Sequence, residues 1–127
     1  MDFEISFRKE TGYFIIKTRG DTTPDDVEAS LLQVFTSPDW SNGKSILYDN
    51  RLENLENLSS SDVQRISLKF TQFNEKLKNS KIALVMPKDV AYGLARMWEN
   101  YTETTATFKT NVFRSFDNAL QWIEEQG

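Results

Sequence analysis

The sequence predicts an α/β fold: a mostly parallel five-stranded sheet with an N-terminal antiparallel strand and about four helices. Three observations lead there. Ile82 to Met86 is an unbroken apolar run ending at Pro87, followed at once by apolar residues at helical spacing. A run without polar alternation suits a strand covered on both faces. Strand and helix signals then alternate along 127 residues, with connections too short for a second domain, so residues 1–127 form one unit. Repetition of that kind implies parallel strands joined by right-handed crossovers. The chain opens differently, with two alternating segments around a short turn, which read as an antiparallel hairpin.

Taken in order, Phe3, Ile5 and Phe7 alternate with Glu4, Ser6 and Arg8 as a half-exposed strand. Lys9 to Gly12 turn the chain, glycine being free to take positive φ. Tyr13 to Thr18 return as a second strand. Thr23 is placed to cap a helix with Pro24 at its first position and Asp25 and Asp26 in its first turn. Val27, Leu31, Val34 and Phe35 give its apolar face, and it ends before Pro38. Asn42-Gly43 is a turn dipeptide. Ser45 to Asp49 read as a third strand, and Asn50 to Leu58 as a polar connection.

Ser59, Ser60 or Ser61 caps a long helix in which Val63, Ile66, Phe70, Phe73 and Leu77 step by three and four residues. After the Ile82–Met86 strand, Asp89 is placed to cap a helix whose stripe is Val90, Leu94, Met97 and Tyr101, widened by Trp98. Gly93 inside that helix costs about 1 kcal/mol against alanine and so implies close packing on the sheet. On that placement a bulky residue at 93 destabilises by more than about 1 kcal/mol. Ala106 to Val112 alternate as an edge strand. Ser115 caps a last helix with Phe116, Ala119, Leu120 and Ile123 inward.

Composition excludes several chemistries. Cysteine and histidine are both absent, which removes disulfides, thiolate nucleophiles, Ser-His-Asp triads and the usual zinc ligands. No metal motif, P-loop or dinucleotide fingerprint occurs, so no cofactor is expected. A net charge of −4 without clustered Lys or Arg argues against nucleic acid. No apolar run is long enough to span a membrane, and the opening MDFEIS does not read as a signal peptide, so the expected location is the cytoplasm.

The order of elements, with KIALVMPKDVAYGLARMWENY from Lys81 to Tyr101 and NVFRSFDNALQWIEEQ after it, resembles the SpoIIAA-like branch of the STAS/SEC14-type proteins. These are small bacterial relatives of the anti-sigma-factor antagonists. The most specific part is Val112-Phe113-Arg114, a cap, then Ala119-Leu120 and Trp122-Ile123, together with Tyr92-Gly93-Leu94-Ala95-Arg96. The N-terminal half matches in element order alone. The resemblance implies a SpoIIAA-like (βα)n superhelix with strands roughly in sequence order; it implies no particular activity. Members that act as phosphorylation switches carry an Asp-Ser-Ser-Gly type segment after the third strand. Ungapped counting from Asp49 puts Leu58 at the phosphoacceptor, and a one-residue shift puts Ser59 there without its aspartate, a departure from the switch pattern.

Four surfaces are candidates for function. Asp49, Asn50 and Arg51 should meet Lys88 and Asp89 at the carboxyl edge of the sheet, where open α/β sheets bind ligands; as plain chemistry these are also ordinary loop residues and caps. Tyr92, Arg96, Trp98 and Glu99 form a candidate interaction face on one helix, aromatics and arginine being enriched at hot spots. Ser59 is a candidate phosphoacceptor, against a simpler role as a helix cap. The many aromatics could line an apolar pocket or merely fill the core. The leading expectation is a non-catalytic regulatory or protein-interaction module, acting through a protein partner or as a homodimer. The alternative is a protein that holds a small apolar or lipid-like ligand between helices and sheet.

Overall fold

A computed structural model describes residues 1–125. Its strands are β1 (Asp2–Arg8), β2 (Tyr13–Asp21), β3 (Ser45–Asn54), β4 (Lys81–Val85) and β5 (Lys109–Phe113), and they lie in sequence order across one sheet. β1 is antiparallel to β2 and every later pair is parallel. The helices are α1 (Pro24–Phe35), α2 (Ser60–Thr71), α3 (Asn74–Leu77), α4 (Asp89–Thr102) and α5 (Phe116–Glu124). The four helices expected become five because the long α2 pattern breaks. Phe73 leaves the helical region at φ −104°, ψ 24°, and a single turn follows as α3. Leu77 is nevertheless buried, as its spacing required.

The sheet carries two cores of unequal size. On one face Phe14, Ile16, Ile46, Tyr48, Ile82 and Leu84 pack against α1, α2 and α4, and Phe3, Ile5 and Phe7 of β1 extend that layer. On the other face Tyr13, Ile15, Leu47, Ala83 and Val85 meet Ala119 and Ile123 of α5. The central strands are therefore covered on both sides, which is why β4 reads as a solid apolar run. The single helix on the second face is fastened at its end. Tyr13 Oη donates to Glu124 at 2.7 Å, and Lys81 Nζ donates to the Trp122 carbonyl at 2.9 Å, satisfying a carbonyl of the last turn.

Helix starts follow side-chain chemistry. Thr23 accepts from the Asp26 N–H at 3.2 Å while Asp26 accepts from the Thr23 N–H, a capping box before Pro24. Ser59 and Asp62 form the same box at α2, and Ser115 caps α5. At α4 the expectation fails. Lys88 holds the N-cap position with no side-chain bond, and Asp89 is already helical. The Asp89 carboxylate turns instead to Arg114, at 2.6 Å.

The buried face of α4 is also rotated from the expected stripe. Ala95, Trp98 and Thr102 are buried, whereas Val90 is 65 % exposed and Tyr101 lies outside. Gly93 falls on the open side, where an added Cβ would meet nothing within 4 Å. Close packing does not explain that glycine, and the expected overpacking at 93 is withdrawn.

The largest departure lies in β3. Asn50 to Asn54 continue the strand instead of forming a connection. The continuation carries a bulge, since Lys17 pairs with Asp49 but Arg19 pairs with Leu52. Thr18 alone thus opposes both Asn50 and Arg51. A bulge shifts the side-chain alternation by one residue. Glu53 therefore turns into the three-helix face and Leu52 turns out, 58 % exposed.

Candidate functional site

The five residues expected at the carboxyl edge do not converge. Asp49 follows Leu47 onto the α5 face, where both its oxygens are held at 2.8 Å by Arg51. Arg51 lies over the Phe116 ring at 4.4 Å. Burial disfavours the Asp49 charge, but its bonds to Arg51 outweigh burial and hold the carboxyl below its ordinary range. Asn50 points to the opposite face. Lys88, just before α4, and Asp89, its first residue, are exposed, with Asp89 engaged by Arg114. The reason is the pleat: adjacent residues of one strand serve opposite faces.

The candidate interaction face on α4 divides in the same way. Trp98 is 3 % exposed and packs edge-on against Phe70 at 5.0 Å, so it belongs to the core and is no surface anchor. Arg96 and Glu99 do pair, at 2.9 Å, and Glu99 also accepts from Thr110 on β5 at 3.3 Å. Burial raises the Glu99 carboxyl despite the Arg96 charge. Tyr92 lies under the Arg114 guanidinium at 4.4 Å. Arg96 and Glu99 border a polar groove of about 510 Å³ that runs along Lys109, Thr110 and Asn111 to Trp122. Ser59 is occupied as the N-cap of α2, accepting from Asp62 at 3.1 Å and within 3.0 Å of Ser61.

A site that the sequence reading missed lies at the carboxyl ends of β3 and β4, under α2 and α4. It is a cavity of about 60 Å³ with walls from Val63, Phe70, Leu84, Met86, Leu94 and Trp98. Its polar lining is Thr22, Tyr48, Asn50 and Glu53. Glu53 is 9 % exposed and accepts from Thr18 Oγ1 at 2.5 Å and from the Thr22 hydroxyl. Asn50 Oδ1 lies 2.9 Å from the same Thr18 hydroxyl. Tyr48 Oη bonds Ser30 at 2.8 Å, and burial pushes its phenol well above the ordinary value. Burial likewise raises the Glu53 carboxyl, against the pull of Thr18, Thr22 and the Met1 ammonium. Trp98 is different: its buried Nε1 has no hydrogen-bond partner among the described residues.

The arrangement can enclose a small apolar body and offer it a few polar contacts, the usual make-up of a ligand site. Glu53 escaped the sequence reading because the bulge breaks the period-two pattern on which strand faces are judged. One signal was present: a second threonine-rich strand end, Thr18 and Thr22, next to a strand ending in Asn and Glu.

No family model matches the sequence, and no curated protein matches it. Among solved structures the chain is similar to an uncharacterized protein of the DUF3478 family with a SpoIIAA-like fold from Shewanella loihica PV-4, with a TM-score of 0.62 and 16 % identity over 96 % of this chain and 92 % of that one. At that identity the likeness speaks for the fold. Among the described residues no helix is long and apolar enough to cross a membrane. The strand order, the antiparallel first strand and this likeness agree: the chain has a SpoIIAA-like fold.

Proposed function

We propose that the protein is a non-catalytic binding protein for a small, largely apolar molecule, held in the cavity between the sheet and helices α2 and α4. The observation that carries this reading is the pairing of apolar walls with a buried Glu53 that the β3 bulge turns inward. An acid is costly in such a place unless it is bonded, and a core built for stability alone would carry an apolar side chain there. The lack of His and Cys supports binding over catalysis. A volume of about 60 Å³ is smaller than the roughly 150 Å³ that accepts benzene elsewhere, so the ligand is a short molecule or the end of a longer one.

Native mass spectrometry on protein purified from its own cells without detergent tests this. A small adduct on the native protein, lost on denaturation and absent from a Leu94→Trp variant with a filled cavity, is the expected result. Bare protein in both samples overturns it.

A second reading, a regulatory or protein-interaction module acting in the cytoplasm, rests on the groove beside β5. There the 57 % exposed Arg96 and the edge strand offer charged and polar contacts to a protein partner or a second copy. The edge itself is partly blunted, because Asn111 Oδ1 accepts from the Val112 N–H at 2.9 Å. Light scattering on wild type and Arg96→Glu tests self-association; an Arg96-dependent dimer favours this reading, and a monomer in both counts against a homodimer.

A further inference from the structure

The two edges of the sheet are unequally protected. β5 is short, and Asn111 Oδ1 already occupies its Val112 N–H. β1 has seven residues, no proline and an unbroken register with β2, from Asp2 opposite Arg19 to Arg8 opposite Tyr13. Among the described residues no side chain blunts its backbone in the same way. A long, regular, partly apolar edge is one that another strand can extend.

The hairpin shows which backbone groups of β1 are open. The Arg8 carbonyl accepts from the Gly12 N–H at 2.7 Å, so the backbone of Arg8 faces across the hairpin to the β2 side. In an antiparallel strand the N–H and C=O of one residue share a side, and successive residues alternate. Asp2, Glu4 and Ser6 therefore bond β2 as well, while Phe3, Ile5 and Phe7 turn their N–H and C=O to the free edge. Side chains follow the same period. Phe3, Ile5 and Phe7 are half-buried and extend the three-helix layer, whereas Asp2, Glu4, Ser6 and Arg8 are exposed on the opposite face.

Set antiparallel against a second copy about Ile5, this strand complements itself. Phe3 meets Phe7, Ile5 meets Ile5, Glu4 meets Ser6 and Asp2 meets Arg8. The pairs formed by Phe3, Ile5 and Phe7 are all open-edge residues, so each exchanges both backbone bonds. Their side chains join the apolar layers of the two molecules. On the other face each end gains an opposite-charge pair, and Glu4 lies diagonal to Arg8. A two-residue slip is worse in either direction. One way sets Glu4 against Glu4, and the other carries Phe3 past the strand onto Lys9 in the turn.

We infer that β1 is a self-association edge, at which two copies of this chain pair their β1 strands about a twofold axis at Ile5 and form one continuous sheet. A twofold interface requires a surface that matches itself, which is the property of this strand. A single strand pair buries little surface, so the dimer is weak and grows with concentration. The inference is independent of the cavity and places the second copy on the edge opposite the β5 groove.

Sedimentation of the full chain over a concentration series, with amide hydrogen exchange followed by NMR at both ends of it, tests this. The dimer fraction should rise with concentration, and protection of the Phe3, Ile5 and Phe7 amides should rise with it. The Glu4 and Ser6 amides, already bonded to β2, should change least. Asp2→Arg sets Arg against Arg and should weaken the dimer about tenfold, as should Arg8→Asp. The double variant restores opposite charges and should regain most of the loss. A monomer throughout the series overturns the inference. A dimer that protects Thr110 in place of Ile5 also overturns it and moves the contact to β5. Single reversals that leave the dimer unchanged overturn the register about Ile5. If a variant does not fold, the alternating protection in wild type decides by itself.

Discussion

Thr18 on β2 and Glu53 on β3, 35 residues apart, are joined across the sheet by a contact of 2.5 Å between hydroxyl and carboxyl. The partnership exists because Thr18 stands opposite a bulge, and it fixes an acid in a layer that is mostly apolar.

The buried acid has a signature in pH. Glu53 is raised above its ordinary value of 4.5, chiefly by burial. The folded state thus holds a proton that the unfolded chain releases, and stability falls as pH rises from about 4.5 through the raised value. Glu53→Gln cannot ionise and should lack that fall. Urea midpoints of both proteins between pH 4 and pH 8 check it: the gap between them should shift in favour of Gln with rising pH. Parallel curves would mean that Glu53 titrates as an exposed acid does.

Asp49 and Arg51 give the opposite sign. The Asp49 carboxyl lies below its ordinary value of 3.8, so its contribution is present above that pH and is lost as pH falls through the lowered one. Arg51→Ala leaves a carboxylate with 5 % side-chain exposure without its partner. The expected cost is about 1–3 kcal/mol at pH 7, shrinking below pH 3.8 as Asp49 takes up a proton. Chemical denaturation at pH 7 and pH 3 measures both; an equal cost at the two would assign the effect to stacking on Phe116.

Gly93→Ala should stabilise by about 0.5–1 kcal/mol, because the helix gains a better former and the new methyl meets nothing. A lowered denaturation midpoint would show that the open side of α4 is covered in solution.

Trp98→Ala should cost about 3–5 kcal/mol, the range for removing a large core aromatic. A surface anchor would cost less than about 0.5 kcal/mol. Thermal unfolding separates the two.

What the sequence made legible depended on whether a local rule ran unbroken. β4 was readable because Ile82 to Val85 are apolar on both faces, so no alternation had to be judged. Thr23 and Ser115 were readable because capping is a contact over three residues, and the α2 cap was narrowed to Ser59, Ser60 or Ser61 for the same reason. The face of α4 was misjudged because Val90 and Tyr101 match the helical period as well as Ala91 and Thr102 do, and hydrophobicity favours the wrong pair. A buried threonine and an exposed valine reverse the usual order, and only the packing beneath decides. Glu53 failed for a stronger reason: its direction depends on a pairing with β2 that no window of β3 contains.

The bulge therefore acts as a parity bit for the cavity. With it, the odd-numbered Glu53 faces the cavity and Leu52 faces water; straighten it at the same chain length, so that Arg51 instead of Leu52 pairs with Arg19, and the two exchange sides. The strand would still pair, the helices would still cover it, and the polar end of the cavity would become grease. A one-residue slip of register in this short stretch changes the chemistry of the cavity while leaving the architecture alone.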